Sequence, residues 1–308
     1  MDFTKYKRIP GKAYNGANGK KIAIDIDGTA YMLKFPPNPT KKTSLSYTNS
    51  CISEYICCHI FNMLGISAQE TMLGTYNVNG KEKIVCACRD FTSDDTVFYD
   101  FCSIKNTIID SEYNGKGTDI DEILETIQLQ EYIDPQVLTD FFYDVFVVDA
   151  LVGNFDRHNG NWGFLFNKIS GAYSIAPIYD CGSCLLPQAD PEMIQRILND
   201  ENELNARVYN YPLSAIQCGG RKINYFEYIS SLNDQNCKEA VERIVPRINM
   251  KDITELVDAT PYISDVQKTF IGTFLTARYE RILDYSFELI QKNDMIQENE
   301  EQTPTLTM

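Results

Sequence analysis

The chain has 308 residues, of which 44% are hydrophobic and 23% are charged, and its formal net charge at pH 7 is −15. A chain of this length and composition is typical of a globular protein and can bury a core large enough for two lobes. The acidic excess argues against binding to nucleic acid or to an anionic membrane, because both are negatively charged and bind basic protein surfaces.

No targeting or membrane segment is evident in the sequence. The N-terminal residues 1–7 contain no apolar stretch, and no run of 18 apolar residues occurs anywhere, so we expect neither a secretory signal nor a membrane span. Ten cysteines in such a chain indicate reduced thiols and a cytoplasmic protein. Secretion as an effector by a non-classical route would leave no mark in the sequence.

The first feature along the chain is a glycine-rich segment over residues 10–20, centred on Gly16, Ala17, Asn18 and Gly19. Glycines let backbone N–H groups approach phosphate oxygens, because no Cβ stands in the way. Taken alone, such a segment is more often an ordinary loop. Its place at the head of the motifs described below favours a nucleotide-phosphate loop.

Two predicted strands follow, over residues 21–26 and 29–35. Asp27-Gly28 joins them, and this dipeptide between alternating apolar residues is a strong hairpin signal. Lys34 lies near the end of the second strand. An ammonium group at this position can bind the α- and β-phosphates of a nucleotide as a point charge.

A helix is predicted next, over residues 50–64, from apolar residues at helical spacing and from the Gly65 that follows. Glu54 lies on this helix, away from its main apolar stripe. Glu54 is therefore the candidate partner that holds Lys34 in place.

A second hairpin is predicted from strands at residues 70–78 and 82–89 around Asn79-Gly80. The chain then leaves the small lobe through residues 86–91. We interpret this segment as a hinge, and Cys88 as the residue whose backbone contacts the adenine ring.

The segment that carries the chemistry begins at Asp156. An Asp followed five residues later by Asn occurs four times, as Asp149/Asn154, Asp156/Asn161, Asp200/Asn205 and Asp294/Asn299. Only Asp156/Asn161 lies between a predicted buried helix, residues 138–152, and an apolar strand, residues 161–166. This context separates it from the other three matches.

Asp180 completes the set of groups that phosphoryl transfer needs. One Asp orients the acceptor hydroxyl and accepts its proton, an Asn binds metal, and the Asp of an Asp-x-Gly turn binds the Mg²⁺ that bridges the phosphates. Asp156, Asn161 and Asp180 match these roles in chain order. We also include His158 in the nucleotide site, with an orienting hydrogen bond and proton transfer both left open.

The order of these motifs resembles the HipA-like branch of the kinase superfamily. Asp-x-His-x-x-Asn and Ala-Pro-x-Tyr-Asp are the catalytic and metal-binding segments of that branch. The resemblance implies a two-lobed α+β fold. The predicted elements divide the chain into a small β-rich lobe over residues 1–91 and a helical lobe over 92–292, and the acidic composition of residues 293–308 predicts a disordered tail. The resemblance also implies ATP, Mg²⁺ and the phosphorylation of Ser or Thr on a protein.

Two departures from the family pattern bear on partners and regulation. The chain begins only about ten residues before its glycine-rich segment, where the toxins of the family carry a further subdomain that contacts an antitoxin. Ala13 stands where those toxins carry a regulatory Ser. An antitoxin-like partner is therefore not supported. Autophosphorylation is still expected, with candidate acceptors Thr43, Ser44 and Ser46.

Two alternative functions stay open at this point. Asp-Arg-His-x-x-Asn also resembles the catalytic segment of phosphoinositide kinases, so a lipid or small-molecule kinase is the first alternative. A non-catalytic pseudokinase that binds partners is the second. The sequence contains no basic or apolar membrane-facing element and lacks none of Lys34, Asp156 and Asp180, which favours a protein kinase.

Overall fold

The computed structural model describes residues 1–12, 14, 20–37, 48–109 and 114–301, with side chains up to residue 296. Several residues of the sequence predictions lie outside these ranges, namely Ala13, Gly16, Ala17, Asn18, Gly19, Thr43, Ser44 and Ser46.

In the described part of the chain, the small lobe is built on a five-stranded antiparallel sheet. Its strands are β1 (Lys7–Arg8), β2 (Lys21–Ile26), β3 (Thr29–Lys34), β4 (Thr71–Val78) and β5 (Lys81–Arg89). Their order across the sheet is β1-β2-β3-β5-β4. The predicted strands are thus confirmed to within two residues at each end.

Both predicted hairpin turns are present, and both require backbone in the left-handed region. Asp27 and Gly28 have φ of 51° and 83°, and Asn79 and Gly80 have φ of 52° and 81°. Asp, Asn and Gly tolerate this conformation better than other residues, and a turn with two positive φ values matches the twist of the flanking strands. Local chemistry therefore sets the register of both hairpins.

Helix α1 (Ser50–Met63) packs on one face of this sheet. Cys86 and Cys88 of β5 point towards α1 and belong to the main apolar core, whereas Val85 and Ala87 belong to a second core on the opposite face. The alternation follows from the two-residue period of a strand.

The structure corrects the predicted position of Cys88. Cys88 is fully buried inside β5, opposite Met32 on β3 and Thr71 on β4. A strand residue between two partner strands cannot serve as the hinge. The segment that leaves the sheet starts at Asp90, after the strand has ended.

The large lobe is mainly helical, with a small sheet inserted. Its elements in chain order are β6 (Thr96–Asp100), α2 (Phe101–Ile108), α3 (Ile120–Leu129), α4 (Pro135–Val152), β7 (Gly163–Asn167), β8 (Tyr173–Ile175), α5 (Pro191–Asn199), α6 (Glu201–Asn205), β9 (Gln217–Cys218), β10 (Arg221–Lys222), α7 (Tyr225–Ser231), α8 (Gln235–Ile244), α9 (Met250–Ala259), α10 (Asp265–Arg278) and α11 (Tyr285–Glu301).

Helix α4 positions the catalytic segment. Asp134 caps its N-terminus by accepting hydrogen bonds from the N–H groups of Gln136 and Val137, and Pro135 occupies the first turn, where no N–H donor is needed. The helix ends at Gly153, whose φ of 63° suits the left-handed C-terminal turn. The chain therefore leaves the buried helix three residues before Asp156.

The sheet β6-β7-β8 places the catalytic and metal segments side by side. The catalytic segment leads into β7, and the segment with Asp180 follows β8. At Gly163, the first residue of β7, an added Cβ would lie 2.2 Å from the backbone oxygen of Tyr99. Only glycine allows β6 to approach this closely. The sequence analysis did not predict β6 or its pairing with β7.

The C-terminal boundary also differs from the prediction. A π-helical stretch over residues 279–284 joins α10 to α11, and α11 continues to Glu301, so the chain is helical beyond the predicted boundary at Asn293. Lys238 on α8 forms an ion pair with Asp294 at 2.9 Å, which ties this part of α11 to the lobe. In the described ranges, no helix is long and apolar enough to cross a membrane.

Replacing Gly163 by Ala is expected to lower the free energy of unfolding by about 1–3 kcal/mol, because the added Cβ collides with strand backbone. Gly272→Ala in α10 is the matched control: an added Cβ there meets nothing within 4 Å, so it should stabilise the helix by about 0.5–1 kcal/mol. Urea denaturation of both variants measures the difference. Equal effects at the two positions would contradict the close-approach argument.

Candidate active site

The candidate active site is a cleft between the small-lobe sheet and the large lobe. Its walls come from β2, β3 and α1 on one side and from the segment after β8 on the other. The lining residues are Lys21, Lys34, Phe35, Pro37, Ser50, Cys51, Glu54, Asp180, Gly182 and Ser183. Three of the predicted site residues, from three separate elements, are among them.

Lys34 joins the two lobes in this cleft. Its Nζ lies 2.9 Å from Oε1 of Glu54 on α1 and 2.9 Å from Oδ1 of Asp180 in the large lobe. Asp180 adopts a left-handed backbone conformation, with φ of 56°, that turns its carboxylate towards Lys34. The predicted contact between Lys34 and Glu54 is present in this arrangement.

The three groups shift one another's protonation. The Lys34 ammonium lowers the pKa of Asp180 to about 2. Burial lowers the pKa of Lys34, but the two carboxylates outweigh this and raise it well above its usual value. Burial raises the pKa of Glu54 to about 7 although Lys34 counteracts it. Lys34 and Asp180 are therefore charged at neutral pH, whereas Glu54 titrates there.

Asp156 is held by hydrogen bonds on several sides. Its backbone N–H donates to Oδ1 of Asn154 at 3.0 Å, and its backbone oxygen accepts from Nδ2 of Asn161 at 2.7 Å. The hydroxyl of Ser183 donates to Oδ2 of Asp156 at 3.4 Å. Partial burial raises the pKa of the Asp156 carboxyl; His158 opposes this rise and the Asp180 carboxylate adds to it.

His158 lies at the exposed edge of the same segment. Its Nδ1 accepts a hydrogen bond from the backbone N–H of Gly160 at 3.0 Å, which corresponds to the tautomer with the proton on Nε2. This bond orients the imidazole within its own loop. A contact of His158 with a nucleotide stays a prediction.

Arg157 fixes both functional segments to one helix. Its guanidinium is buried and forms an ion pair with Asp149 of α4, with Nε 3.0 Å from Oδ2 and Nη2 3.2 Å from Oδ1. Nη1 donates to the backbone oxygens of Asn161 at 3.1 Å and Tyr179 at 2.7 Å, and Nη2 lies 3.5 Å from Sγ of Cys181. The Arg157 side chain therefore contacts the residues on both sides of Asp180.

Asp149 is the functional neighbour that the sequence analysis missed. The Asp149/Asn154 match was set aside as a coincidence, yet Nδ2 of Asn154 donates to Oδ1 of Asp149 at 2.8 Å. Burial raises the pKa of Asp149, and the donors from Arg157 and Asn154 oppose this rise. An aspartate inside a strongly apolar helix was the available signal, because a buried carboxylate requires charged or hydrogen-bonding partners.

The donor atoms near Asp180 are compatible with Mg²⁺. Nδ2 of Asn161 donates to the backbone oxygen of Asp156, so the amide oxygen of Asn161 remains available as an acceptor. Carboxylate and amide oxygens are the ligands that Mg²⁺ prefers. In the described part of the chain, no cluster of three or more His, Cys, Asp or Glu side chains can hold a metal by itself.

Arg157→Lys is expected to lower the free energy of unfolding by about 2 kcal/mol and to slow the expected phosphate transfer at least about tenfold. An ammonium cannot reproduce the planar fork that contacts Asp149 and both segments, and a shift of about 1 Å in catalytic groups is costly. Arg278→Lys is the control: Arg278 is also fully buried, but it donates to the backbone oxygens of Ala150 and Arg207, away from the cleft. It should lower stability alone. Denaturation and rate measurements on folded protein separate the two effects, and equal rates for both variants would contradict this role.

Glu54 should make stability depend on pH near neutrality. Its folded pKa of about 7 lies above its ordinary value of 4.5, so its contribution to stability is complete below pH 4.5 and is lost as the pH rises through 7. Relative to Glu54→Gln, the wild-type protein should lose up to about 3 kcal/mol between pH 5 and pH 8. Urea denaturation across this range tests the shift. Parallel curves for the two proteins would show that Glu54 does not titrate there.

Comparison with known proteins places this chain in a known family. Residues 13–262 match the family described as the HipA-like C-terminal domain. Over 285 residues the chain is 48% identical to the serine/threonine-protein kinase CtkA of Helicobacter pylori, which covers 92% of this chain and 86% of the relative.

Solved structures agree with the sequence match. The crystal structure of the Helicobacter pylori proinflammatory kinase CtkA is similar with a TM-score of 0.89 and 47% identity, over 95% of this chain and 98% of that chain. HipA of Shewanella oneidensis, in a toxin–antitoxin complex with HipB and operator DNA, is similar in fold with a TM-score of 0.52 and 15% identity, over 91% of this chain and 70% of that chain. By sequence and by structure, the chain belongs to the HipA-like C-terminal domain family and has its two-lobed kinase fold.

Proposed function

We propose that the chain is a serine/threonine protein kinase that transfers the γ-phosphoryl group of ATP with the help of Mg²⁺. The observation that carries this proposal is the position of Lys34, whose Nζ lies 2.9 Å from both Glu54 and Asp180. An active kinase requires an ion pair between a strand lysine and a helix glutamate, and an aspartate placed to bind Mg²⁺ beside it. Lys34, Glu54 and Asp180 are close enough together for these roles. The 48% identity to a protein named serine/threonine-protein kinase supports the same reaction.

In this proposal, Lys34 binds α- and β-phosphate oxygens while Glu54 keeps its ammonium in the cleft. Asp180 and the amide oxygen of Asn161 hold the metal. When bound there, Mg²⁺ neutralises the charge that develops on the phosphoryl oxygens. Because the Lys34 ammonium holds the pKa of Asp180 at about 2, Asp180 is ionised and able to bind a cation at neutral pH.

Asp156 orients the acceptor hydroxyl and accepts its proton. Ser183 occupies Oδ2 of Asp156, which leaves Oδ1 for the incoming Ser or Thr hydroxyl. The raised pKa of Asp156 makes it a stronger base than a free aspartate, and it remains largely ionised as long as the pH lies above that pKa. Ser183 therefore supports the orientation of the base.

Because Cys88 lies inside β5, we assign the adenine contact to the segment that follows this strand. Tyr14, at the described end of the glycine-rich segment, donates its hydroxyl to Oδ2 of Asp90 at 2.8 Å, and Lys12 contacts the same carboxylate at 2.6 Å. Phe91 packs against Phe98, with ring centroids 5.5 Å apart. We infer that adenine binds to backbone groups around Phe91, because this segment connects the two lobes and contacts Lys12 and Tyr14. The N–H groups of Asp90 and Thr92 already donate to Ala30 and Asp90, which leaves the Phe91 N–H as the donor of the segment.

The physiological acceptor is proposed to be a Ser or Thr on a protein. The net charge of −15 and the identity to a protein kinase support this choice over a lipid. Autophosphorylation and a cytoplasmic site of action stay predictions.

Incubation of the pure chain with labelled ATP and Mg²⁺, with a generic basic protein or lipid vesicles, tests the reaction. We expect label on protein. Asp156→Asn should lower turnover by about 10²–10⁴-fold with little change in Mg-ATP affinity, because the base need not contact the nucleotide. Asp180→Asn should weaken both affinity and turnover, and Asn161→Ala should do so more mildly, since a neutral amide holds a cation less strongly.

The matched control for these variants is Asp258→Asn, which removes an exposed carboxylate on α9, a helix that contributes no residue to the cleft, and should leave both quantities unchanged. Calorimetry gives the Mg-ATP affinity and phosphate transfer gives the turnover. Label on lipid alone would favour the lipid-kinase alternative. Binding of ATP without any transfer would favour the pseudokinase, and wild-type turnover in Asp156→Asn would remove Asp156 as the base.

A further inference from the structure

The cleft contains a second lysine that no family motif assigns. Lys21 is the first residue of β2, immediately after the glycine-rich segment, and it pairs in register with Lys34 on β3. Side chains of directly opposed residues in an antiparallel pair stand about 5 Å apart on the same face. Lys21 and Lys34 therefore project from the sheet as neighbours.

The face on which Lys21 lies follows from the strand period. Ile22, Ile24 and Ile26 belong to the apolar core on the far side of the sheet. Lys21 alternates with them and lines the same cleft as Lys34, Glu54 and Asp180. Its side chain is half-buried rather than extended into solvent.

The charges in the cleft support this placement. Burial lowers the pKa of Lys21; the nearby Asp180 carboxylate opposes this change and the Lys34 ammonium adds to it. Lys21 is thus close enough to both groups for their charges to act on it. The desolvation of an ammonium group is costly, so a lysine in this position requires anionic neighbours.

A nucleotide needs more positive charge than Lys34 can provide. Lys34 is already shared between Glu54 and Asp180, and a third carboxylate, that of Asp156, accepts a hydrogen bond from Ser183 of the cleft wall. An ATP molecule brings several further negative charges to this site. A second ammonium offsets part of that repulsion at the point where the terminal phosphates enter.

We propose that Lys21 is a second nucleotide-binding lysine, which contacts the β- and γ-phosphates of ATP beside Lys34. This inference rests on the proposed kinase function and extends it to one further residue. Because β2 begins where the glycine-rich segment ends, Lys21 lies nearer to that segment than Lys34 does along the chain. Its contribution should therefore increase with the number of phosphates on the ligand.

Calorimetry on the full chain, with ATP, ADP and adenosine as ligands and with and without Mg²⁺, tests the proposal. Lys21→Met should weaken ATP binding about ten- to a hundredfold, ADP binding less, and adenosine binding not at all, because a charge-assisted hydrogen bond to phosphate is lost. Lys21→Arg should retain most of the affinity. Lys81→Met is the matched control, since Lys81 is an exposed lysine at the start of β5 that does not line the cleft.

The outcomes separate this inference from the proposed function. If the wild-type chain binds none of the three ligands, the kinase proposal fails and the role of Lys21 fails with it. If wild type binds ATP and Lys21→Met binds it equally well, or loses adenosine affinity to the same extent, only the role of Lys21 is overturned. If Lys21→Met lowers the melting temperature of the nucleotide-free protein, Lys21→Gln, which keeps a polar end, takes its place and must show the same graded loss.

Discussion

The buried ion pair between Arg157 and Asp149 is the interaction on which the site depends. It anchors the catalytic segment to α4, and through the backbone oxygen of Tyr179 it also anchors the segment that carries Asp180. Both charges are nearly inaccessible to solvent, so either one without the other would be an uncompensated charge in the core. One side chain, Arg157, therefore ties the segment of Asp156, the proposed base, to the segment of Asp180, the proposed metal ligand.

Lys34 links the two lobes through its contacts with Glu54 and Asp180. It connects α1 of the small lobe to Asp180 of the large lobe. The contact with Glu54 is shielded from solvent, whereas the Asp180 side chain is 39% exposed and its contact is partly screened. The two contacts differ in kind: Asp180 is charged throughout the neutral range, whereas Glu54 has a pKa of about 7. The contact of Lys34 with Glu54 therefore depends on pH near neutrality, whereas its contact with Asp180 does not.

The parts of the fold that sequence reasoning located correctly are those governed by local chemistry. The hairpins at Asp27-Gly28 and Asn79-Gly80 follow from residues that accept positive φ, and α1 and α4 follow from apolar spacing and buried length. The predictions were wrong where contacts with residues distant in the chain determine the structure. Cys88 is an interior strand residue because β3 and β4 flank it, and α11 extends past Asn293 where Asp294 contacts Lys238.

By itself, the sequence determined the order of the chemical groups: a glycine-rich segment, Lys34, Glu54, Asp156 with Asn161, and Asp180. Order and spacing are enough to indicate phosphoryl transfer, because this set of groups has few other uses. The tertiary structure alone decided which of these groups touch, and it added Asp149, Arg157, Ser183 and Lys21 to them. Such contacts join residues far apart in the chain, and local sequence propensities do not predict which buried charged groups will pair.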